Sequence, residues 1–111
     1  MSRIILSASA RNDIKRLYDF LTQFDLTVAD NGNDAIIAGL EYLEAHSSCG
    51  SVVEDRPNVR KSIVAFGASG YLIFHKRYEK IDTNLVARII HQKEWYDEQT
   101  IGLAEENELK G

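Results

Sequence analysis

Residues 60–91 constrain the fold more than any other part of the chain. Two runs, Arg60–Phe66 and Tyr71–Tyr78, flank Gly67-Ala68-Ser69-Gly70, and a third, Leu85–His91, follows a charged turn at 79–84. All three are rich in Ile, Val, Phe and Tyr, whose branched or planar side chains fit a pleated surface. Runs of this length separated by short turns predict an antiparallel meander. Apolar residues fall on both faces of it: Ile63 against Val64, Ile73 against Phe74, Ile89 against Ile90. One face therefore needs a helical layer. The other is too apolar to be left in water, so a C-terminal segment or a partner should cover it.

The helical layer precedes the meander. Ile4-Ile5-Leu6 reads as a short strand, and Ser7 and Ser9 are both candidate N-caps, with Asp13 favourable toward the positive end of the helix that follows. Ile14, Leu17, Tyr18, Leu21 and Phe24 recur at helical spacing and predict a helix over about residues 10–24. A second helix runs from Asn33 to about His46, with Ile36, Ile37, Leu40 and Leu43 as its buried stripe. Its start is open: Asn31-Gly32-Asn33 can cap it, or it begins near Asp25 and carries Gly32 inside at a cost of about 1 kcal/mol. Gly39 lies within it, a place for another backbone to approach. A short connection between the helices favours an antiparallel pair. Val52-Val53 and the stretch through Pro57 read as an irregular or edge segment. The fold class expected is α+β: an N-terminal helix hairpin packed on an antiparallel sheet, residues 1–98, with 99–111 as a flexible tail.

A chain of 111 residues makes one domain. No apolar run approaches the roughly 20 residues of a membrane span, and Met1-Ser2-Arg3 leads straight into a strand, so neither a signal peptide nor a membrane location is expected. The single cysteine, Cys49, has no internal partner and no metal-ligand spacing around it, which makes a cytoplasmic location the default and leaves no metal or cofactor to expect. The net charge of −4 argues against unspecific nucleic-acid binding. Five acids, Asp97, Glu98, Glu105, Glu106 and Glu108, account for it; without them the chain stands near +1, so a local basic patch remains open.

Three constellations could carry chemistry. His91, Lys93 and Tyr96, with Arg88 and Glu94 near, end the last strand. A histidine titrates near neutral pH, a lysine stabilises developing negative charge, and a tyrosine donates a proton or stacks on a base. The bland reading is a hydrogen-bonded structural histidine with Trp95-Tyr96 closing the core edge. Arg56, Arg60 and Lys61, with Lys76, Arg77 and Lys80 across the meander, could line a phosphate-binding surface or simply keep a solvated edge from aggregating. Gly67-Ala68-Ser69-Gly70 lacks the lysine and the helix of a phosphate-binding loop and reads as a hairpin turn.

LSASARNDIKRLYDFL, a second helix, NVRKSIVAFGASGYLIFHK and IIHQKEWY together resemble the RelE/ParE toxin superfamily over about residues 4–96. The matching pieces are Leu6-Ser7 with Asp13-Ile14, Arg60, Gly70-Tyr71, and His91 with Lys93-Glu94 and Tyr96. The resemblance implies the same helix hairpin on a sheet and a toxin of a type II toxin–antitoxin pair, neutralised by a cognate antitoxin that wraps it, as a homodimer or a toxin–antitoxin hetero-oligomer. RelE-like members cleave mRNA on the ribosome; ParE-like members poison DNA gyrase. With Gly70-Tyr71 as the anchor, the basic positions of the RelE-like site fall on Ile63, Ala65 and Leu72, all apolar. Such a site would poorly stabilise a phosphoryl transition state, which favours the ParE-like branch, with Arg60, Arg88, His91, Lys93 and Tyr96 as target-binding residues. If the chain is instead a ribosome-dependent nuclease acting on mRNA, His91, Lys93 and Tyr96 are the catalytic candidates. A third reading is a chain without toxicity that binds an antitoxin.

Overall fold

A computed structural model describes residues 3–53 and 56–92, with the side chains of all of them except Arg56 and Pro57. In chain order these form β1 (Arg3–Leu6), α1 (Ala8–Thr22), α2 (Leu26–Ala45), β2 (Ser51–Val53), β3 (Arg56–Phe66), β4 (Ser69–Tyr78), a short 3-10 turn (Glu79–Ile81) and β5 (Thr83–His91). The tail at 99–111, and with it the boundary at residue 98, lies outside the described residues.

Ser7 caps α1: its backbone is extended and its hydroxyl accepts from the Ala10 N–H at 2.9 Å. The same hydroxyl donates to the Ala87 carbonyl at 2.7 Å, so one side chain both starts the helix and ties it to β5. That cap sets α1 at 8–22 rather than the expected 10–24, and leaves Phe24 in the turn, 71% exposed. Asp25 then caps α2, accepting from Thr27 N–H at 2.7 Å and Val28 N–H at 3.2 Å. The earlier of the two possible starts is therefore the observed one, and Gly32 lies inside the helix. At Gly39 a Cβ would fall 2.5 Å from Val64 Cγ2 and 3.2 Å from Ile73 Cδ1; side chains of the sheet, not another backbone, fill that notch.

The sheet order is β1-β5-β4-β3-β2. The meander is as expected: β3 pairs antiparallel with β4 (Val64↔Tyr71) and β4 with β5 (Ile73↔Ile89). The turn between β3 and β4 uses its glycines differently. Gly67 takes a positive φ of 61°, and a Cβ on Gly70 would lie 2.1 Å from the Val64 carbonyl oxygen. The chain's first strand adds a feature local patterns do not specify: β1 pairs parallel to β5 (Ile5↔Leu85), so the sheet is mixed. A bulge opposite Phe74/His75 leaves Ala87 without a direct partner on β4.

Both helices cover one face, where Ala10, Leu17, Ile36, Leu43, Tyr71, Ile73, Val86 and Ile89 form the main core with Val64 packed against it. On the other face Val59, Leu72, Phe74, Ala87 and Ile90 make a second buried cluster. Ile63 stands apart at 65% exposed.

Candidate functional site

β5 carries two of the candidate residues, Arg88 and His91, and its position depends on α1. β1 pairs with β5 only as far as Val86. Beyond it the start of α1 takes the place of a neighbouring strand. Ser7 N–H donates to the Val86 carbonyl at 3.0 Å, the Ser7 hydroxyl to that of Ala87, and the Asp13 carboxylate accepts the Ile89 N–H at 2.9 Å. Asp13 also accepts two bonds from Arg88, from Nε at 2.7 Å and from Nη2 at 2.9 Å. This corrects the sequence reading of Asp13. It does not serve the first turn of α1, which holds no acid; it is 4% exposed on the helix face that holds Ala10 and Leu17. The signal was present: Asp13 falls on the apolar stripe, three residues after Ala10 and four before Leu17. Its partner Arg88 is four-fifths buried along its side chain, which makes it first of all a residue that positions β5.

His91 ends β5 opposite Tyr71. Its Nε2 lies 2.8 Å from the Ser69 hydroxyl in the hairpin turn, and its ring meets that of Tyr71 edge-on at 5.9 Å. Tyr71 stacks in turn on Phe66 at 5.7 Å, and burial raises the pKa of its phenol, so it is a poor proton donor. These residues floor a cleft of about 570 Å³ between the hairpin turn and the second half of α1, which contributes Arg16, Leu17 and Phe20. Arg16 and Phe20 were not among the residues singled out from the sequence; an exposed Phe20 at 57% beside a predicted apolar stripe is the trace they leave. Lys93 and Tyr96 lie outside the described residues.

Arg60 is not in this cleft. It pairs with His75 on β4, four residues along the strand from Tyr71, which puts it about 16 Å from His91 by strand spacing and rise. Its Nη1 donates to the Gly50 carbonyl at 3.0 Å, and it stands near a buried polar group in which the Ser62 hydroxyl lies 2.8 Å from His75 Nε2. Burial, and then the charge of Arg60, bring the His75 pKa down to about 4, with Asn84 pulling weakly the other way. His75 is therefore a neutral structural ring. The basic residues across the meander do not share one surface either: neighbours Arg60 and Lys61 face opposite sides of the sheet, and Arg77 is paired with Asp82.

The register makes one further arrangement plain. Ile63 pairs with Leu72 and Leu72 with Ile90. The three residues form an apolar row across three strands, on the face turned away from the helices, whereas His91 pairs with Tyr71 on the helix side. Among the described residues no group of three His, Cys, Asp or Glu side chains could hold a metal ion, and no helix is long and apolar enough to cross a membrane.

Residues 4–96 match the family described as ParE toxin of type II toxin–antitoxin system, parDE. The chain belongs to this toxin family. A curated relative, Toxin RelE3 of Caulobacter vibrioides, is 33% identical over 94 residues, covering 85% of this chain and 98% of the relative. Solved structures share the fold at low identity. The chromosomal ParDE system from P. aeruginosa matches with a TM-score of 0.65 at 17% identity, over 82% of this chain and 96% of that one. The RelBE2 toxin–antitoxin complex of Mycobacterium tuberculosis gives 0.58 at 13%, over 82% and 98%. A mutant of E. coli toxin RelE in the free state gives 0.60 at 11%, over 96% of both chains. The protein is thus a type II toxin of the RelE/ParE superfamily, with two helices on a five-stranded mixed sheet.

Proposed function

We propose that this toxin arrests growth by binding DNA gyrase and trapping it on DNA, without cutting RNA by its own side chains, and that a cognate antitoxin neutralises it. The observation that carries the reading is the apolar row Ile63–Leu72–Ile90. Two of the three positions where the RelE-like resemblance puts cations, 63 and 72, lie in it; Leu72 is 6% exposed. A pentavalent phosphate needs several positive charges and hydrogen-bond donors around it, and an aliphatic row offers none. His91 supports the same reading, because it faces the helix side with its Nε2 engaged by Ser69 and cannot face that row.

Within this reading Lys93 and Tyr96, which follow His91 in the chain, are the residues for target contact together with His91. Arg60 belongs to a separate contact, and Arg88 acts through Asp13 by holding β5 in place. The test is induced expression without antitoxin, scored in parallel for the DNA-damage response and for mRNA cleavage. Arrest with DNA damage and intact mRNA is expected. Arrest with cleaved, ribosome-bound mRNA would overturn the reading in favour of a nuclease, and growth without arrest would point to a binding module that has lost toxicity.

A further inference from the structure

β3 is covered along only part of its outer edge. β2 pairs with it at Arg56, Arg60 and Lys61, while β4 runs along its other side as far as Phe66. From Ser62 to Phe66, no described strand lies on the outer side, and the N–H and C=O groups of alternate residues point outward. These five residues, Ser62-Ile63-Val64-Ala65-Phe66, include no charge and no proline, the devices that ordinarily keep an edge from pairing. Beside them α2 leaves room: Ala35, Ala38 and Gly39 line a cleft of about 580 Å³ together with residues 61–65 of β3. Two large apolar side chains of its lining are exposed, Ile63 at 65% and Tyr42 at 57%. An edge of this kind is a template for one more strand.

We infer that the strand taken up is Ser62–Phe66 of a second copy, so that two chains pair antiparallel about a twofold axis at Val64 and their sheets continue as one. Length is the first support. The open edge spans five residues and is closed at Lys61 by Ser51 of β2. The same five residues of a second copy fill it, and beyond Phe66 that copy's chain turns away at Gly67, whose positive φ begins the hairpin, before it meets β2. The register is self-complementary: Val64 of one copy faces Val64 of the other, Ile63 faces Ala65 and Ser62 faces Phe66, so no like charges meet. The position of α2 is the second support. A Cβ on Gly39 would lie 2.5 Å from Val64 Cγ2 on β3 and 3.2 Å from Ile73 Cδ1 on β4. The helix therefore crosses between these strands, about half a strand spacing in from the edge. With the two edges paired, the two α2 helices stand roughly 10 Å apart, a normal helix packing distance, and the small side chains of Ala35 and Ala38 leave that gap clear. A lone added strand would satisfy the edge but leave the flank of α2 open; a second copy closes both. Five paired residues and one helix contact make a small interface, so a dissociation constant of about 10–100 μM is expected. The inference rests on strand pairing and helix position, and its failure would leave the gyrase reading untouched.

The test uses the full chain. Sedimentation from about 1 μM to about 1 mM should show the mass rise from one chain to two. Cys49 is the only cysteine, so in a Cys49→Ser background a nitroxide can be placed at Ile63→Cys or at Phe20→Cys. Both positions are more than half exposed, at 65% and 57%, and Ile63 points away from the helices, clear of the paired edge. Across the axis the two backbones at 63 lie roughly 8 Å apart, so spin–spin coupling should broaden that spectrum at high concentration and vanish on dilution. The label at 20, on the helix anchored to β5, should give an unbroadened spectrum throughout. Ala38→Glu sets two carboxylates across the axis, and Ala65→Lys restores a charge to the edge; both residues are exposed, and each change should weaken association about tenfold or more. A mass of one chain over the whole range would overturn the proposal: with residues 62–66 open to hydrogen exchange it would leave the edge to another protein's strand, and with them protected it would assign the cover to this chain itself. Broadening from position 20 in place of 63, or association indifferent to both substitutions, would overturn it as well.

Discussion

Replacing Asp13 with asparagine removes one charge while keeping the side chain's shape, and so isolates what the carboxylate does at the β5 edge. The native group is 5% exposed and accepts from Arg88 Nε, Arg88 Nη2 and the Ile89 N–H, with a longer contact at 3.3 Å from the half-exposed Arg16. The amide keeps one acceptor oxygen and turns two N–H donors toward groups that are themselves donors. Arg88, its side chain one-fifth exposed, is left with a charge that water reaches only in part. Removing one partner of a buried pair costs roughly 3–5 kcal/mol, and the partial access of Arg88 places this case near the lower end, about 3 kcal/mol. A domain of this size holds only about 5–13 kcal/mol in total. The midpoint of thermal unfolding should fall by on the order of 10–20 °C, and urea denaturation should show a lower midpoint at unchanged slope. The pairing itself is read from Asp13→Leu combined with Arg88→Met. That double variant should be less destabilised than the sum of its single changes by about 2 kcal/mol, the remaining loss being the unpartnered Ile89 N–H. A loss below about 1 kcal/mol for Asp13→Asn, or single losses that add to within about 0.5 kcal/mol, would refute the argument that this pair anchors α1 to β5.

Gly70→Ala sets a Cβ 2.1 Å from the Val64 carbonyl oxygen; because the obstacle is backbone, a loss at or above about 3 kcal/mol is expected, and an unchanged urea midpoint would contradict the β3–β4 register. His75 stays neutral in the fold with a pKa of about 4, while the unfolded chain binds a proton below about 6.5. Its contribution is therefore complete above pH 6.5 and is lost as the pH falls toward 4, by about 1.4 kcal/mol per unit across that window; His75→Gln should flatten the difference, and an identical pH profile in wild type and variant would rule it out. Exchanging both Lys93 and Tyr96 for alanine should relieve growth arrest while leaving the melting curve of the sheet in place. Full toxicity in that double variant would remove these two residues from target contact.

The residues candidate for function divide according to how local their signal is. The hairpin turn was legible because Gly67 and Gly70 interrupt two β-rich runs; Gly67 supplies a positive φ, and Gly70 leaves room for the Val64 carbonyl. The helix pair was legible from its apolar spacing, to within two residues at α1; the start of α2 stayed open between two caps until Asp25 was seen to accept two N–H groups. The functional surface was less legible. Arg60 and His91 belong to one stretch of a resemblance but stand on different parts of the sheet, because they sit two strands apart and a strand advances about 3.3 Å per residue. Arg88 read as a target-binding residue, and only its contact with Asp13, 75 residues earlier, reveals a positioning role.

The sequence by itself determined the element types, the meander and the α+β class, since each of these follows from periodicity or turn chemistry along the chain, and its resemblance over residues 4–96 pointed to the toxin superfamily. The tertiary structure alone decided that β1 lies parallel to β5, that a carboxylate on a helix stripe closes the edge of a strand, and that His91 and the Ile63–Leu72–Ile90 row face opposite sides. The reason is physical. Local preference arises among neighbours in the chain, whereas strand partners and buried charges are settled by groups far apart in sequence, whose hydrogen bonds must all be satisfied at once when water is excluded.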